Sequence, residues 1–216
     1  MDQNILSYIM PTYGDRNLGF KEGRGCYLTS YQNKQYLDFG SGIAVNSLGY
    51  SHPTLVKKLQ YQASKLWHTS NLYFNSEQEE YAKILCQNSF AEKVFFTNSG
   101  AEAIEAGLKV VRRYHHHHKN FNKKKIITFE GAFHGRTFAA LSAQQHKKYS
   151  EGFEPLLEGF INLPFNDIEK IKKKIDGSIA AILIEPIQGE GGIRPADLKY
   201  LEAIREICNQ NDRSEE

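Results

Sequence analysis

The sequence has little that would tie it to a membrane, a nucleic acid or an oxidising compartment. Cys26, Cys86 and Cys208 are its only cysteines among 216 residues. They are odd in number, scattered and without metal-ligand spacing, so a disulfide framework is excluded and a reducing compartment is expected. No apolar run is long enough to cross a bilayer. The opening residues, Met1-Asp2-Gln3-Asn4, lack the charged and apolar regions of a secretory leader. A net charge of +2 gives no electrostatic case for nucleic acid or an anionic membrane. Internal repeats and low-complexity linkers are absent too. With 40% hydrophobic residues and a mean hydropathy of −0.53, a globular, rather polar, cytoplasmic protein of one or two domains is expected.

What the chain does have is organised around Thr97-Asn98-Ser99-Gly100-Ala101-Glu102. Lys93–Phe96, with β-branched and aromatic residues together, reads as a short buried strand before it. Ile104, Leu108 and Val111 recur at helical spacing after it. A helix start presents unbonded N–H groups and partial positive charge, which suits a phosphate. Ser99 adds a hydroxyl, and Gly100 and Ala101 allow close approach. An ordinary strand-to-helix turn would read the same on this stretch alone.

Two further strands, Ile126–Phe129 and Ile179–Ile184, also run into polar, Gly-containing loops, Glu130–Thr137 and Glu185–Gly192. In an open α/β sheet, ligands sit beyond the carboxyl ends of the strands. Cys26–Ser30 and Gln35–Phe39 alternate around Asn33-Lys34 as a hairpin. Ser51–Trp67 reads as a helix capped by Ser51, with Pro53 in its first turn and Leu55, Leu59, Ala63 and Leu66 on a core-facing stripe. Ser76-Glu77-Gln78-Glu79 opens another, which carries Tyr81, Ile84 and Leu85. Asn166 is the expected cap of a helix containing Ile168, Ile171 and Ile175, and Leu198, Leu201, Ile204 and Cys208 mark the last helix. The alternation from about Ser51 onward predicts a largely parallel sheet with crossover helices. His115–His118 reads as part of a solvated loop; neighbouring side chains there point in different directions, so no metal site is expected.

The segments "TNSGAEAIEAGLKVVRRY", "FEGAFHGRTFAALSA", "YSEGFEPLL", "PFNDIE" and "IEPIQGEGGIRPAD", in that order, resemble the class III pyridoxal-phosphate-dependent aminotransferases of fold type I, nearest their acetylornithine branch. The resemblance implies an α/β fold: an incomplete large domain, 51–216, with a mostly parallel sheet between helices, and an N-terminal segment, 1–50, belonging to the small domain and the dimer contact. It implies that Ser99, Gly100 and Ala101 hold the cofactor phosphate, that Phe133 stacks on the pyridine ring with His134 beside it, and that Glu185 is an active-site acid. Arg136 would clamp a substrate carboxylate with two parallel bonds. Glu190 would tune a substrate-binding arginine lying much later in the family. The alternative for Phe133 is a core aromatic, and for Arg136 a surface ion pair.

The implied reaction moves an amino group between an N-acylornithine and 2-oxoglutarate in arginine biosynthesis, in a homodimer. Ornithine, succinylornithine and 4-aminobutyrate aminotransferases are sibling possibilities. The family's pyridine-nitrogen aspartate and cofactor lysine have no counterpart here, because the likeness breaks off near Asp212 and no strand is expected after the last helix. An inactive fragment with exposed apolar faces, or one half of a split enzyme, is therefore also expected.

Overall fold

The computed structural model describes residues 8–14, 16–211 and 214–215. The first four residues and Asp212, on which the sequence reading drew, lie outside them. The chain divides into two compact units, Met1–Tyr81 and Ala82–Glu216.

In the first unit, β1 (Phe20–Arg24), β2 (Tyr27–Ser30) and β3 (Gln35–Leu37) form an antiparallel sheet in that order. The expected hairpin is there, with Tyr27 opposite Leu37. Asn33 turns it at a φ of 64°, a conformation asparagine tolerates. Strand β1 was not expected, because its glycines hide any alternation. A four-residue turn, α1 (Ser41–Ala44), follows, then α2 (Pro53–Ala63). Ser51 does not cap α2. It has a φ of 51° and donates its hydroxyl to the Gly23 carbonyl at 2.9 Å, so His52 is the cap residue. The stripe assigned to a core is also exposed: Leu55 by 53%, Leu59 by 70% and Leu66 by 52%. An amphipathic spacing selects a face but cannot supply the surface that covers it.

Helix α3 (Ser76–Gln87) begins where expected. Asn75 rather than Ser76 provides the cap, its Oδ1 accepting from the Gln78 N–H at 2.9 Å.

The second unit contains α4 (Gly100–His117), β4 (Lys125–Phe129), α5 (Phe138–Gln144), α6 (Lys147–Ser150), β5 (Phe160–Leu163), α7 (Ile168–Lys174), β6 (Ile179–Ile182), β7 (Ile187–Gln188), β8 (Arg194–Pro195), α8 (Leu198–Gln210) and β9 (Ser214–Glu215). Its main sheet runs β5-β4-β6-β9, all parallel. The period-two alternation of β4 divides the core. Ile126 packs with Leu108 and Val111 of α4 on one face. Ile127 and Phe129 pack with Ile171 of α7 and with Tyr200, Ile204 and Cys208 of α8 on the other. The chain thus has the parallel α/β sheet with helices on both faces that the spacing requires.

Four local expectations fail. Lys93–Phe96 joins none of the described ladders and Phe95 is 81% exposed; β propensity alone does not make a strand. Asp167, not Asn166, caps α7, accepting from the Lys170 N–H at 3.0 Å. Asn166 sits at a φ of 63°, and its Oδ1 accepts from the Asp197 N–H at 3.1 Å, so it ties α7 to the start of α8. A short strand, β9, does follow the last helix and pairs with β6. Finally, the histidine run is not a loop: α4 continues through His117. His115 is buried, with Nε2 2.9 Å from the Ala180 carbonyl oxygen, and so joins α4 to β6.

Candidate functional site

The carboxyl ends of β4 and β6 and the start of α4 bring most of the sequence-named residues together. Ser99 is the N-cap of α4: its extended backbone turns the chain in, and its Oγ accepts from the Glu102 N–H at 3.2 Å. Glu102 reaches back to the Asn98 N–H at 2.7 Å. The first N–H groups of the helix have no intrahelical acceptor, and Ser99 keeps its own proton to donate. A Cβ added at Gly100 would meet nothing within 4 Å, so the space over the helix start is open. An 18-residue helix points its positive end there.

The loop after β4 lies against that first turn. Gly135 has a φ of 121°, and a Cβ there would stand 2.9 Å from the Cβ of Ala101. Gly135→Ala is therefore expected to cost about 1–3 kcal/mol, through backbone strain and overpacking together. Gly177→Ala, where a Cβ meets nothing within 4 Å, should change the urea midpoint little. Equal midpoints for the two variants would show that the loop does not rest on α4.

Within this loop the Phe133 N–H donates to Glu185 Oε2 at 3.2 Å, which joins the ends of β4 and β6. Burial raises the pKa of Glu185, against the lowering effect of that same hydrogen bond. The His134 N–H donates to Gln144 Oε1 at 3.0 Å. The His134 ring is buried, and its Nε2 has no hydrogen-bond partner. Burial lowers its pKa from 6.5 to about 4, so the ring is neutral at pH 7. Gln188, fully buried, donates to the Glu130 carbonyl at 2.9 Å and holds the third loop to the second. A Cβ on Gly191 would lie 2.5 Å from the Gly131 carbonyl oxygen, so only glycine lets these two loops pass.

Arg136 and Glu190 come from different loops and meet across Tyr149. The Tyr149 hydroxyl donates to Glu190 Oε1 at 2.9 Å, and the Arg136 guanidinium lies over the Tyr149 ring, 5.3 Å from its centre. Sequence reasoning missed Tyr149, Gln144 and Gln188; Tyr149 and Gln188 stood inside recognised motifs, but nothing in their spacing marked them. Among the described residues, no group of three or more His, Cys, Asp or Glu is placed to hold a metal ion, and no helix is long and apolar enough to cross a membrane.

A parallel sheet between two helical layers, with an open helix start at its carboxyl end, is the large-domain architecture of the fold type I pyridoxal-phosphate-dependent transferases. The solved structures with the same fold include the ornithine aminotransferase of Toxoplasma gondii, at a TM-score of 0.90 and 26% identity over 96% of this chain and 50% of that one. They also include the N-acetylornithine aminotransferase of Stenotrophomonas maltophilia, at 0.78 and 36% over 95% and 51%. The chain belongs to the class-III aminotransferase family, which it matches over residues 9–214. Acetylornithine aminotransferase 1 of Bradyrhizobium diazoefficiens is 50% identical over 97% of this chain and 52% of its own length. The acetylornithine aminotransferase of Clostridium acetobutylicum is 48% identical over 95% and 53%. The chain spans about half the length of the curated relatives it matches.

Proposed function

We propose that this chain supplies the phosphate-binding half of an acetylornithine-type aminotransferase, acting in the cytoplasm on an N-acylornithine and 2-oxoglutarate. The observation that carries the reading is near-50% identity to acetylornithine aminotransferases along almost the whole chain. The open space at the α4 start fits a phosphate, and the half-buried Phe133 beside the neutral His134 fits a pyridine ring. When bound, pyridoxal phosphate supplies the electron sink for amino transfer.

The chain's own residues would then do the following. Ser99 and the N–H groups of Gly100 and Ala101 hold the phosphate. Glu185 fixes the Phe133 backbone so that the ring presents its face. Neutral His134 adds no competing charge beside it. Arg136 grips a substrate carboxylate, and Glu190 stands ready for a second cation. Residues 1–50 would contribute to a small domain and a homodimer contact, with 51–216 in the large domain. Exposed Trp67 (85%), Leu72 (88%) and Phe74 (80%) support a surface that an assembly covers.

The test begins with the intact mass of the protein from its native source, followed by an amino-donor panel. N-acetylornithine is expected to be the preferred donor of the native polypeptide. Preference for ornithine or 4-aminobutyrate would overturn the substrate assignment. No lysine here lies in a context resembling the family's cofactor lysine, so these 216 residues alone are expected to give no turnover; measurable turnover would overturn that.

A further inference from the structure

Tyr149 stands outside the residues named from sequence, yet it touches three of them. Its ring meets Phe133 edge-on, with centroids 6.2 Å apart. Its hydroxyl donates to Glu190 at 2.9 Å, and Arg136 lies over its face at 5.3 Å. One neutral ring therefore separates an anion at its edge from a cation on its face. Neither Arg136 nor Glu190 takes part in an ion pair among the described residues. Both are exposed, and both reach the same ring on long, rotatable side chains.

We propose that Tyr149 is a positioning residue that keeps Glu190 from pairing with Arg136, and so leaves the guanidinium available to a dicarboxylate such as the amino acceptor. The inference rests on the reading of Arg136 as the carboxylate clamp. A guanidinium over an aromatic face is attracted to the ring yet keeps its N–H edge for a carboxylate. The phenol gives Glu190 a neutral donor in place of the cation. The bond to Glu190 and partial burial both raise the pKa of Tyr149, while Arg136 opposes them, so the hydroxyl keeps the proton it donates. His146, with its ring 4.9 Å away, and Lys148, with Nζ at 5.5 Å, are the other titratable groups on this ring.

The test uses the chain itself with glutarate as probe, read by calorimetry or NMR titration. Tyr149→Phe is expected to weaken glutarate binding about threefold to fivefold, as Glu190 competes for Arg136. Tyr149→Phe combined with Glu190→Gln should return to the affinity of Glu190→Gln alone. A merely structural role would leave the double variant as weak as the single one. Equal binding by wild type and Tyr149→Phe would overturn the proposal.

A second readout needs no ligand. The carbon-13 resonance of the Tyr149 phenol should titrate at lower pH in Glu190→Gln than in wild type, and an unchanged titration would overturn the hold. Should wild type and Arg136→Ala bind glutarate alike, the clamp reading fails and takes the positioning role with it. Arg136-dependent binding with an unchanged Tyr149 titration would defeat the positioning role alone.

Discussion

Phe129→Ala is expected to remove about 3–5 kcal/mol of stability, and Phe95→Ala less than about 0.5. Phe129 is 1% exposed and Phe95 81%. The Phe129 ring closes the α7–α8 face of the sheet, edge-on to Phe165 at 6.3 Å and to Tyr200 at 6.0 Å. Its removal leaves a cavity lined by two aromatics and by Ile204, which cannot collapse without breaking the helix packing. Since a domain's whole stability is about 5–15 kcal/mol, the variant should unfold at much lower urea, or never accumulate as folded protein. Comparable urea midpoints for the two alanine variants would mean that β4 is not the centre of this core.

The second large effect is on pH. The pKa of His134 falls from 6.5 to about 4 because its ring is buried without a partner for Nε2. The folded state therefore resists protonation where the unfolded chain accepts it. The stability from this group is fully present above pH 6.5 and is lost as pH falls through the window from 6.5 towards 4. Between pH 7 and pH 5 the loss should be about 2 kcal/mol. His134→Gln has no such titration, so its stability should fall less over the same interval. Urea unfolding of both proteins at pH 7 and pH 5 measures the difference; parallel losses would place the histidine's titration elsewhere. Comparing the two proteins cancels the opposite tendency of Glu185, whose raised pKa favours the folded state at lower pH.

His134 also shows how far the sequence could be read. Its motif placed it beside the other site residues, since a strand such as Ile126–Phe129 is legible from its apolar run and fixes where the following loop emerges. Its burial was not legible, because burial is set by tertiary packing; Gln144 of α5, ten residues on, accepts from its backbone N–H. The last helix was read correctly from Ile204 and Cys208, both fully buried. The stripe on α2 was read equally well as a pattern and yet lies exposed, because periodicity reports a face and not its cover. The caps went wrong by one residue at Ser51 and Asn166, since both left the capping position for a left-handed backbone and bonded to distant segments. Arg136 and Glu190 were named, but the tyrosine between them was invisible: their meeting depends on tertiary contact and not on spacing.

The strand order β5-β4-β6-β9 also bears on how the chain reaches this state. Ile126 of β4 pairs with Phe160 on one side and Ala181 on the other, so no two neighbours in this sheet are joined by a tight turn. Each pairing must first close a long loop, and that entropy is spent before any ladder bond rewards it. The hairpin of β2 and β3 needs only a short closure, which takes microseconds. Assembly of the second unit should therefore lag behind the first. During that interval the unpaired N–H and C=O edges of β4 are open, on the strand whose two faces carry both halves of the core.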